Sequence, residues 1–112
     1  MKIELLYFDD CPSYQEARAM MEQILAEERI GAQIEMVRVA DDADAQAKQF
    51  VGSPTLRMNG ADLFPEQASG IFAMQCRVYR TPQGFKGVPT PEMLRDALHK
   101  NISLVRPNRD AE

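Results

Sequence analysis

Apolar residues crowd the first eight positions, where Ile3, Leu5, Leu6, Tyr7 and Phe8 are interrupted only by Glu4. A short run of this kind, ended by Asp9-Asp10, predicts a buried strand over residues 3–8. The spacing then changes. Tyr14, Ala17, Met20, Met21, Ile24 and Leu25 recur every three or four residues, which predicts a helix with one apolar face. Pro12 suits its first position, where a missing N–H costs nothing, and Gly31 is the expected C-terminal stop. Residues 33–39 return to alternation, with Ile34 and Met36 followed by Val37 and Val39. They predict a second strand whose period slips near Val37. Asp41 or Asp42 then caps a shorter, alanine-bearing helix over about 42–50.

Two short apolar runs, Thr55-Leu56-Arg57-Met58 and Ala61-Asp62-Leu63-Phe64, flank Asn59-Gly60. Asn-Gly in that setting is the strongest short-range hairpin signal. Residues 65–89 are broken by Pro65, Gly70, Pro82, Gly84, Gly87 and Pro89, and read as an irregular insertion with one extended piece, Cys76-Arg77-Val78-Tyr79-Arg80. Thr90 and Pro91 open a last helix to about Lys100, with Met93, Leu94, Ala97 and Leu98 on its apolar side. The order is β-α-β-α-β-β-α. Strands that alternate with helices imply parallel pairing, and the hairpin adds antiparallel strands, so a mixed central sheet of α/β class is expected. One domain over residues 1–105 and a polar tail, 106–112, account for the chain.

Composition narrows the choice of partners. A net charge of −4 argues against a nucleic-acid surface, which carries a basic excess. No apolar stretch approaches the ~18 residues of a membrane span. The opening Met1-Lys2-Ile3-Glu4 reads as a core strand and not as a secretory leader, so a cytoplasmic protein with reduced thiols is expected. Two cysteines and one distant histidine make neither a disulfide framework nor a zinc site. The methionines sit at packing positions, apart from Met74 just before Cys76.

Cys11 is where chemistry enters. It follows a strand and precedes a helix, where unpaired N–H groups and the positive end of the dipole stabilise a thiolate. Asp9 and Asp10 oppose this effect, and one of them is a candidate proton donor or acceptor. The bland alternative for Cys11 is a small buried hydrophobe. For Cys76 the alternatives are a core-facing residue alternating with Val78, or a second thiol within reach of Cys11, with Arg77 and Arg80 favouring its thiolate.

The element order, Cys11-Pro12-Ser13-Tyr14 after the first strand, and Gly52-Ser53-Pro54-Thr55 before the third together resemble the thioredoxin fold. With Cys76-Arg77-Val78-Tyr79, the pattern is also similar to small bacterial thioredoxin-like proteins described as alkylmercury-lyase-like. The resemblance implies an accessible nucleophile at Cys11 and a cis Pro54. It also implies a Ser53 main chain that hydrogen-bonds an extended substrate, with Pro12 and Ser13 beside it. The position of a resolving cysteine holds Tyr14, whose hydroxyl is a candidate partner for the thiolate. A thiol–disulfide oxidoreductase would then work as a monothiol resolved by an external thiol such as glutathione, or with Cys76 as partner. Its partners would be protein or small-molecule thiols and disulfides, and no bound cofactor is expected. Two alternatives stand beside it. One is organomercurial or soft-metal handling through Cys11 and Cys76, and the other is a non-catalytic binding module on the same fold.

Overall fold

In the computed structural model, which describes residues 1–105, the first apolar run forms β1 (Ile3–Tyr7). The tail expected over 106–112 lies outside the described residues. Strands β2 (Ile34–Arg38), β3 (Thr55–Met58) and β4 (Ala61–Asp62) join β1 in a sheet of order β2-β1-β3-β4. β2 lies parallel to β1, while β3 and β4 are antiparallel neighbours. The fold is mixed α/β with three helices, α1 (Tyr14–Glu27), α2 (Asp42–Ala47) and α3 (Pro91–Val105).

The parallel β1–β2 pair and the antiparallel hairpin make the mixed sheet that the element order implied. α2 leads to β3, which runs against β1. Length explains that direction. Six residues of helix span about 9 Å, short of the roughly 17 Å of a five-residue strand. α2 therefore does not return the chain to the start of the sheet, and β3 begins at the end where β2 finished.

Both faces of the sheet are covered. Ile3 and Leu5 pack with Met21, Ile24, Leu94 and Leu98 from α1 and α3. Leu6 points the other way, into a smaller cluster with Val39, Ala45 of α2 and Phe50. This explains the slip near Val37. Ile34 and Met36 pack against the first cluster while Val37 packs against the second, so β2 is apolar on both sides. Met74 joins the smaller cluster as packing.

Helix boundaries depart from expectation in an instructive way. α1 begins at Tyr14, after a bend at Pro12 and Ser13, so Pro12 is not its first residue. Gly31 does not stop it either. Arg29 takes the left-handed conformation (φ 55°), its N–H donates to Ala26 O, and the Ile30 N–H donates to Leu25 O. α2 ends the same way at Gln49 (φ 54°), with Phe50 donating back to Ala45 O. In each case the hydrophobe after the turn, Ile30 or Phe50, packs into the core and fixes where the helix closes. That contact outweighs the cost of a non-glycine residue at positive φ.

The Asn59-Gly60 hairpin forms as expected, with both residues at positive φ and Met58 opposite Ala61. Thr90 caps α3 by accepting from the Met93 N–H at 3.1 Å. The insertion is more regular than its composition suggested. It holds a 3-10 turn at Pro65–Gln67 and a separate hairpin of β5 (Tyr79–Thr81) and β6 (Gly84–Lys86). Among the described residues no helix is long and apolar enough to cross a membrane.

Candidate functional site

Strand register gathers the chemistry at one end of the sheet. Leu6 pairs with Thr55 and Tyr7 with Arg38, so the C-terminal ends of β1 and β2 lie beside the start of β3. α1 also begins there. Cys11 occupies the turn between β1 and α1, with its N–H donating to Phe8 O at 3.1 Å. Ser13 precedes the helix without a side-chain cap, although its carbonyl accepts from the Ala17 N–H. Cys11 is only 5% exposed, which corrects the expectation of an open thiol. Pro12 beside it is exposed and Ser13 half-buried.

The acidic pair is not aimed at the sulfur as a unit. Asp9 forms an ion pair with Arg38 at 2.8 Å, which offsets its negative charge, and Asp10 is exposed. That hydrogen bond and charge hold the Arg38 guanidinium above its ordinary pKa. The Tyr14 ring stacks on Tyr7, with centroids 4.4 Å apart, and its hydroxyl accepts from Gln15 Nε2 at 3.3 Å. Among the described residues Tyr14 makes no hydrogen bond to Cys11.

The Ser53-Pro54 peptide is cis, as the resemblance implied. Ser53 itself departs from expectation. Its N–H donates to Gln75 O and its carbonyl accepts from the Arg77 N–H, both at 2.9 Å. These two bonds bracket Cys76 in a parallel bridge to Ser53. The main-chain groups expected to align a substrate are thus already paired with the chain's own residues 75–77. Gly52 permits the approach. A Cβ there would lie 3.0 Å from Arg77 Cβ and 3.1 Å from its Cα and N, and its φ of +124° suits glycine alone. Further along, the Met74 N–H donates to the Asp42 carboxylate at 3.0 Å.

Within this strap, side chains alternate against the core-facing reading of Cys76. Cys76 and Val78 face out, while Arg77 (4% exposed) and Tyr79 are buried. Arg77 bonds to Asp62 at 2.9 Å and to Phe64 O at 2.7 Å, and lies 4.8 Å over the Tyr79 ring. It is a structural anchor, not a partner for the Cys76 thiolate. The Tyr79 hydroxyl donates to Pro54 O at 2.6 Å and so fixes the loop from below. Burial pushes the Tyr79 phenol well above its ordinary range; the Arg77 charge opposes that shift, and the charges of Asp62 and Cys11 add to it. Among the described residues Ser53 Oγ and Arg77 Nε are buried without partners.

Sequence reasoning selected Cys11, Ser53, Pro54 and Cys76, and the fold brings them to one end of the sheet. It missed Gly52, Arg77 and Tyr79. Only the two-residue spacing of Arg77 and Tyr79 hinted that they share a face. Both cysteines are free thiols. Among the described residues no group of three or more His, Cys, Asp or Glu is placed to hold a metal ion. A groove of about 780 Å³ lies elsewhere, between Phe64, Pro65, Arg80 and α3, and touches none of these residues. No family model, curated protein or solved structure matches the chain.

Proposed function

We propose that this chain is a thioredoxin-like thiol–disulfide exchange protein in which Cys11 is the nucleophile. The observation that carries this reading is the convergence of two free cysteines on one sheet end. Leu6–Thr55 pairing sets the Cys11 turn beside the Ser53-Pro54 loop, and the Ser53–Cys76 bridge adds the second thiol.

The Cys11 thiol gives up its proton and attacks one sulfur of a disulfide. A mixed disulfide forms, and the departing thiolate takes up a proton. Cys76 or an external thiol then attacks the mixed disulfide, releasing the second half of the substrate. No electrons leave the thiol–disulfide pool. Tyr14 is a packing residue in this scheme, since its ring and hydroxyl are engaged by Tyr7 and Gln15.

Reaction of the folded chain with a disulfide, followed by mass mapping, tests the proposal. Cys11 is expected as a mixed disulfide in Cys76→Ser, as a mixed disulfide or a bond to Cys76 in the native protein, and Cys11→Ser should carry adducts at Cys76 alone. A native Cys11 that reacts only after denaturation removes the proposal. That outcome favours a second reading, a non-catalytic module whose Cys11 is a core residue, to which its 5% exposure lends support.

A further inference from the structure

We infer that the Cys11 site exchanges with low-molecular-weight disulfides and excludes disulfides embedded in an extended polypeptide. This rests on the function proposed above and narrows its substrate class. An extended peptide docks on a free strand edge by pairing its main chain with unpaired N–H and C=O groups. At this site the groups next to the proline loop belong to Ser53, and both are taken by Gln75 O and the Arg77 N–H.

The occupant is held firmly. The Arg77 guanidinium is buried and paired with Asp62, the Met74 N–H is tied to Asp42, and the two main chains lie so close at Gly52 that a Cβ there would sit 3.1 Å from Arg77 Cα and N. A peptide strand would have to break two main-chain bonds before making its own, so its net gain is close to nil. A small disulfide needs no main-chain docking. It requires only that one sulfur reach Cys11 along the line of attack, and the 5% exposure of Cys11 admits a slim reagent more readily than a chain. In the step itself the Cys11 thiolate bonds to one sulfur of R–S–S–R, the S–S bond breaks, and RS⁻ leaves and is protonated. Cys11 is oxidised to the mixed disulfide as one RS group is reduced.

The test compares two probes on the intact protein, hydroxyethyl disulfide and a peptide carrying the same linkage at its centre. Cys11 adducts are followed by peptide mass mapping, which separates them from adducts at exposed Cys76. The small probe should modify Cys11 at least about tenfold faster than the peptide. A double variant that loosens the strap, Asp42→Ala with Gln75→Gly, should raise the peptide rate about tenfold and leave the small-probe rate unchanged. Hydrogen exchange supplies a second measure, in which the Ser53 and Arg77 amides are protected in the native chain and exposed in the variant. Equal rates with both probes, or native Ser53 and Arg77 amides that exchange like open loops, overturn this inference and leave the exchange chemistry standing. Failure of both probes to modify native Cys11, when denatured chain reacts, overturns the two together.

Discussion

An arginine is costly to bury unless its guanidinium is fully engaged, and Arg77 nearly is. Asp62 and Phe64 O satisfy its terminal nitrogens, and only Nε lacks a partner. Removing the counter-charge strands a cation in the core, so Asp62→Ala is expected to cost about 3 kcal/mol in urea unfolding. Ser53 behaves oppositely. Among the described residues its buried Oγ bonds to nothing while its main chain is fully paired, so Ser53→Ala should leave the unfolding free energy in urea unchanged or raise it by up to about 1 kcal/mol. The two residues also mark the limits of reading a site from sequence. The place of Cys11 in a turn after β1 was legible from the strand and acidic pair before it, and the cis form of Pro54 followed from the resemblance. The burial of Arg77 was not legible, because its inward direction depends on Asp62 and Phe64 O, partners fifteen and thirteen residues away. Nothing local distinguishes an arginine that will be buried from one that will be solvated.

Among the elements, the helix ends show where periodicity informs and where it stops. The apolar faces of α1 and α3 and the Asn59-Gly60 hairpin followed directly from residue spacing. The stops at Arg29 and Gln49 did not, since a glycine two residues beyond Arg29 offered a stronger local signal than the packing of Ile30. These two sites carry a removable strain. Arg29→Gly and Gln49→Gly relieve a left-handed non-glycine conformation worth about 1 kcal/mol, partly offset by the unfolded-state entropy of glycine. Each should raise the melting temperature by a few degrees, read by calorimetry. β5 fell partly within the extended piece read at residues 76–80, but β6 and its pairing were hidden for a related reason. Among the described residues they pair with each other alone, and β6 is exposed along its length, so no core face imposes an alternation on it, and the exposed Phe85 blurs it further.

For the molecule as a whole, one buried phenol links stability to alkaline pH. Tyr79 has its pKa raised by burial, so the folded state retains a proton that the unfolded chain gives up near pH 10. The associated stability is complete below about pH 10 and is lost as pH rises above it. Unfolding by urea at neutral pH and at about pH 11 should show this loss, and Tyr79→Phe should flatten the alkaline limb while lowering neutral stability by about 1 kcal/mol through its lost bond to Pro54 O. Overall topology was only partly legible. Element order, class and the mixed sheet followed from the pattern, but the direction of β3 against β1 depends on how short α2 is, and α2 ends at Ala47 where the pattern implied about residue 50. The gap at Gly52 has one more consequence. A single methyl there acts as a wedge under the main chain of Arg77, and a wedged arginine is a cleavage site. Trypsin should spare Arg77 in the native protein, yet make its first cut after that residue in Gly52→Ala.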